Sequence, residues 1–257
     1  MSLTGKSPSE TYKDIAYVDN DNNGVTTSLK QVKTGNGSST ALQVSDRSLQ
    51  VKSATDNTTA LDVQNASGTS KFLVDTTNNY VKANNVHVNT QYAHFSQTFD
   101  SSDLASGRHY AIPFGGNYSS ELEVIGNGTN PDTSATISGN AQHWALTYWF
   151  IMDNITIDRV VWWSGADQAT GDTTRCHLMS YDVDSSNGAT GGDLSNGVVL
   201  ADGTDITNDG YEQLYYQQMT IQSADVSAGK IVLFTFRSDS VNSDYSVNAT
   251  IKYHITG

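Results

Sequence analysis

The chain has 257 residues, a formal net charge of −13, and only 14 Lys and Arg against 27 Asp and Glu. No basic run is present, which argues against a nucleic-acid partner. The single cysteine, Cys176, excludes an internal disulfide and any cysteine-rich metal site. Glu occurs only at Glu10, Glu121, Glu123 and Glu212, while Asn, Asp, Ser, Thr and Gly recur throughout. Helical proteins use Glu freely, and the abundant residues here are turn formers. The composition therefore predicts an all-β fold.

The opening, MSLTGKSPSE, has no apolar core and predicts no secretory signal peptide. Trp144 to Met152 is the longest apolar-rich stretch, too short to span a bilayer. No membrane partner is expected.

In chain order, residues 1–35 form a polar zone. Ser9 to Tyr17 suggests one helical turn capped by Ser9, and VTTSLKQVK suggests a strand. Asp19 to Gly24 resembles the first half of a calcium loop. Lys30 stands at the twelfth position, where a bidentate Glu belongs, so an Asx-rich turn is the simpler reading. No cofactor and no metal ligand set is predicted.

Residues 36–89 carry a degenerate repeat. Its units are Leu42-Gln43-Val44, Leu49-Gln50-Val51 and Leu61-Asp62-Val63, with Phe72-Leu73-Val74 an altered fourth. Period-two alternation puts both apolar residues of a unit on one strand face. The segment reads as an extended β arm. So few apolar side chains cannot offset the backbone entropy of ordering it. Leu42, Val44, Leu49, Val51, Leu61, Val63, Phe72 and Val74 are therefore expected at an interface, an oligomer interface with three copies wrapped together or a contact with another protein of the same assembly.

Residues 90–257 read as an antiparallel β-sandwich head of jelly-roll type. Trp144 to Phe150 alternates Trp, Leu, Tyr and Phe, which suggests a strand buried on both faces. Further strands are predicted over residues 155–163, 175–182, 213–221, 231–237 and 245–255. Residues 185–193 and 204–210 read as turns.

Catalytic constellations are sparse. The histidines lack tight ligand spacing, and neither a G-x-S-x-G elbow nor a phosphate-binding glycine loop is present. Glu121 and Glu123 lie on one strand face, as a solvated surface would place them. Asp158 and Glu212 could act as paired carboxylates only if folding joins them. Asp182, Asp184, Ser186 and Asn187 form a weaker Asx-rich cluster. Cys176 reads as a small core residue. The aromatics are more numerous than a small core needs. Trp162-Trp163 must point to opposite faces of a strand, and Tyr215-Tyr216 likewise. They serve the core and an oligomer interface, or one of them stacks on a sugar ring.

The segment LTGKSPSETYKDIAYVDNDNNGVTTSLKQVKTGNGSSTALQVS resembles the N-terminal part of fibre-like virion proteins of tailed phages, marine podoviruses especially. So do the AL-x-V units and FLVDTTNNYVKANN at Phe72 to Asn85. In the head, the matching features are Trp144 to Ile151, Ile157 to Trp163, and Val226 to Lys230 before Ile231 to Phe236. The resemblance implies a homotrimer in the virion, docked on the capsid or tail through residues 1–35, with a projecting head. Three functions follow as expectations. They are attachment to a host surface glycan without catalysis, decoration of the capsid without a receptor, and glycan depolymerisation.

Overall fold

The structure is a computed structural model that describes residues 15–21, 23–100, 103–116, 122–137, 141–167, 170–210, 212–239 and 243–256. It is nearly all-β, with antiparallel sheets throughout. The chain divides into two compact units, Met1–Val88 and Asn89–Gly257.

The first unit holds two four-stranded meanders. One contains β1 (Ala16–Val18), β2 (Lys30–Thr34), β3 (Ser39–Val44) and β4 (Leu49–Val51). The other contains β5 (Leu61–Gln64), β6 (Ser70–Asp75), β7 (Tyr80–Ala83) and β8 (Val86–His87). Residues 35 and 36 lie in the β2–β3 turn, so VTTSLKQVK and the first Leu-x-Val unit share one sheet. Of the helical turn expected over Ser9 to Tyr17, residues 9–14 lie outside the described residues. Ala16 and Tyr17 are in strand β1, paired with Thr34 and Lys33.

Short side chains close the hairpins. Asn65 Oδ1 accepts from the backbone N–H of Ser67 and Thr69, and Gly68 takes a φ of +79° that a β-carbon would strain. The Asp75 carboxylate accepts from Asn78 through both its backbone and side-chain nitrogens, at 2.8 Å each.

The second unit contains β9 (Thr90–Phe99), β10 (His109–Ile112), β11 (Glu123–Val124), helix α1 (Ala141–Thr147), β12 (Trp149–Phe150), β13 (Ile155–Asp167) and β14 (Thr173–Val183). It continues with β15 (Leu194–Asp202), β16 (Ile206–Thr207), β17 (Gln213–Gln218), β18 (Thr220–Ile221), β19 (Asp225–Val226), β20 (Ile231–Ser238) and β21 (Asp244–Ile255). Its eight long strands pair in a nest. β9 pairs with β21, β10 with β20, β13 with β17, and β14 with β15. Alternate members go to opposite sheets, in the orders β17-β13-β21-β9 and β10-β20-β14-β15. This is one long hairpin rolled into two facing sheets, the jelly roll.

Between the sheets lies an apolar core that includes Phe95, Phe99, Trp162, Leu178, Phe234, Phe236 and Ile251. Phe99 and Phe236 stack across it at 5.2 Å. A second, smaller core covers the other face of the larger sheet, where Met179, Tyr181 and Leu233 meet Ile125 and Trp144.

One expected strand is corrected. Residues 141–147 are helical, and only Trp149 and Phe150 of the Trp144–Phe150 run are in a strand. Within the helix the buried residues are Trp144 and Thr147, three apart, as a one-sided helix requires. An apolar run this short satisfies both periods, and good helix formers such as Ala141, Gln142 and Ala145 favour the helix.

Candidate functional site

The eight arm residues come together in cross-strand pairs. Leu42 faces Val51 and Val44 faces Leu49, on one side of the first sheet. Leu61 faces Val74 and Val63 faces Phe72, on one side of the second. The second set extends to Val81, Ala83 and Val86 through the next two hairpins. Each Leu-x-Val unit is thus matched to the next. Yet among the described residues of this unit no hydrophobic side chain is buried, and Leu49 is 67% exposed. Leu49, Val51, Leu61, Val63 and Phe72 are exposed, and the other arm residues are half-buried.

The head presents a different surface. In β13 the alternation sends Trp162 into the core and Trp163 outward. Trp162 is fully buried, and its indole N–H lies 3.3 Å from Gln217 Oε1, so it is not a surface contact. Tyr215 is half-buried against the core, with its hydroxyl accepting from the Asp209 N–H at 2.9 Å. Trp163 and Tyr216 remain, 48% and 47% exposed, with ring centroids 5.1 Å apart.

Pairing in this sheet arranges the outward side chains in rows. One row runs Tyr216, Trp163, Asn248, Ser96, and the next runs Leu214, Gly165, Ser246, Thr98. Amides and hydroxyls therefore continue directly from the aromatic pair. A depression of about 340 Å³ lies over these two rows. Gly165 keeps its floor low, because a β-carbon there would come within 2.6 Å of Ser246 Oγ. Leu214, 72% exposed, forms the wall on the β17 side.

Such a surface suits a sugar. An aromatic face offers apolar contact to the C–H side of a pyranose, while flanking amides and hydroxyls satisfy its O–H groups in both hydrogen-bonding senses. It assembles no hydrolytic pair from Asp158 and Glu212. Asp158 sits near the start of β13 and bonds His254 at 3.0 Å. Glu212 immediately precedes β17 and borders residues at the far end of β13. Roughly nine residues of extended strand, about 30 Å, separate the two ends.

The other sequence candidates take structural roles. Glu123 lies 3.7 Å from His143, and Glu121 is outside the described residues. Asp19 is held by Lys33 at 2.6 Å, and the described part of Asp19 to Gly24 is a turn in which Asn20 donates to the Gly24 carbonyl. Asp182 bonds Lys230 and Asn196, and Asp184 caps its own loop through Ser186 and Thr190. Cys176 is in the core, where burial pushes its thiol well above the ordinary range. Among the described residues, no group of three or more His, Cys, Asp or Glu could hold a metal ion.

A buried polar cluster lies beside the second core. His109 and His177 meet edge to face at 5.1 Å, and Arg175 clamps Asp202 with bonds of 2.8 and 2.9 Å. Nothing in the spacing of residues 109, 177 and 202 announces it. Comparison with known protein families and with curated proteins finds no match for this chain.

Proposed function

We propose that the chain is a fibre-like virion protein whose jelly-roll head attaches to a glycan on the host surface. Its N-terminal residues 1–35 dock on the particle, and three copies associate through the apolar faces of the arm. The observation that carries the attachment reading is the exposed Trp163–Tyr216 pair continuing into rows of Asn, Ser and Thr over a depression with a glycine floor. A surface that only coats a capsid has no use for such an arrangement. The virion setting rests on the resemblance of residues 3–45 and 72–85. The oligomer rests on the paired Leu-x-Val units, since an apolar face of this kind gains stability only when another surface covers it.

The test is adsorption. The protein should retain host cells when immobilised, and Trp163→Ala should abolish retention while leaving the melting temperature unchanged. Retention unaffected by the substitution would return the chain to capsid decoration. Particle reconstruction would then show density on the capsid, whereas the attachment reading expects projecting density carrying three heads.

A further inference from the structure

The same sheet face carries a charge pattern that identifies a sugar class. Two rows from the aromatic pair, Arg159 and Lys252 are direct partners across β13 and β21, with Tyr92 next to Lys252 on β9. Like charges directly opposite on neighbouring strands are unfavourable. Among the described residues, no ion pair joins either cation to a carboxylate. Asp158, the nearest in sequence, is turned to His254. The chain carries 27 acidic residues and 14 basic ones, so two adjacent cations with no acid partner stand out.

Arg159 is also aimed. One of its terminal nitrogens donates to Tyr216 Oη at 3.0 Å, and Tyr216 packs on Trp163. This contact sets the guanidinium at the edge of the aromatic pair and leaves its other N–H groups available. Between the cations and Trp163 lies the row of Gln218, Val161, Thr250 and His94. Along β13 the backbones of Arg159 and Trp163 are four strand steps apart, about 13 Å, and the Tyr216 contact brings the guanidinium closer than that, within reach of a ring next to one stacked on Trp163.

We infer that the glycan is acidic, with one ring stacked on Trp163 and the anionic group of a neighbouring ring held by Arg159 and Lys252. This rests on the attachment reading of the same surface. A guanidinium fork matches a carboxylate or a sulfate, and both chemistries fit. The net charge of −13 opposes diffuse capture of polyanions elsewhere on the chain. Binding would therefore report this site.

The experiment titrates the full chain with oligogalacturonate, carrageenan oligosaccharide and cello-oligosaccharide of equal length, at low and high salt. At least one acidic ligand should bind tenfold or more tightly than the neutral one, and the advantage should shrink with salt. The double variant Arg159→Gln, Lys252→Gln should remove that advantage, and Trp163→Ala should weaken binding of every ligand about tenfold or more. The winning acidic arm distinguishes carboxylate from sulfate. Equal binding of the neutral ligand, untouched by the double variant, would overturn the acidic class and leave glycan attachment standing. Loss in the double variant with none in Trp163→Ala would mean simple ion exchange and would overturn it too. Failure of all three sugars would bring down both readings.

Discussion

Trp162 and Trp163 are neighbours with opposite environments, and the difference is measurable. Trp162 is fully enclosed between Phe-rich sheet faces, so Trp162→Ala should cost about 3–5 kcal/mol through lost contact and the cavity left behind. Trp163→Ala removes a side chain that lies largely on the surface, and should change stability by no more than about 0.5 kcal/mol. Urea denaturation of the two variants should separate them cleanly. A large loss in Trp163→Ala would mean that the outward tryptophan is covered in the folded protein and is not a contact residue. Sequence alternation already demanded that the two point apart. It could not say which faces the second sheet.

Strands of the arm show how a short repeat works at the level of an element. Each Leu-x-Val unit supplies two apolar side chains on one face, and the hairpin registers match unit to unit. The sheet of β5 to β8 presents Leu61, Val63, Phe72, Val74, Val81, Ala83 and Val86 together, and the described chain buries none of them. Replacing Val63 and Phe72 by Asp should therefore leave the monomer's secondary structure intact and prevent its association. Sedimentation should show three times the 27.7 kDa chain mass for the unmodified protein and a single chain for the variant. A monomeric unmodified protein would sink the trimer. The helix over residues 141–147 teaches the converse lesson. Its alternating aromatics look strand-like, yet only Trp144 and Thr147 are buried in it, and a helical turn puts them on one side, with Trp144 in the second core.

At the scale of the whole molecule, the buried His109–His177 pair ties stability to pH. Burial lowers both imidazoles, and His177 falls from 6.5 to about 4. Asp202, 3.1 Å from His177 Nε2, pulls the other way, but Arg175 already claims that carboxylate, and His109, Arg175 and Arg237 add to the repulsion. Because the folded value lies below the unfolded one, the unfolded chain takes up protons first as pH falls. The stabilisation is whole above about pH 6.5 and is lost progressively towards pH 4. That shift corresponds to a loss on the order of 3 kcal/mol. Hydrogen-bonded carboxylates act lower, since Asp182, bonded by Lys230 and Asn196, and Asp184, bonded by Thr190 and Ser186, are held below their ordinary 3.8. Denaturation curves between pH 7 and pH 4 should show the decline in the unmodified protein, and His177→Gln should flatten it. A slope unchanged in that variant would assign the pH dependence elsewhere.

Much of the architecture was legible in the residues alone. The all-β class, five of the head strands and the one-sided apolar character of the arm all follow from composition and a period of two, which are local properties. Gly165 and Trp163 were visible as residues, but the depression they share with Ser246 and Asn248 was not. Those partners come from β21, and only the pairing register sets them side by side. The same holds for Arg159 beside Lys252, and for His109 against His177. By itself the sequence determined which side chains of each strand share a face. Tertiary structure decided which face meets the second sheet, which strands become neighbours, and so which distant side chains touch. Alternation is imposed by the backbone of a single strand, whereas adjacency is imposed by the roll that closes around the core.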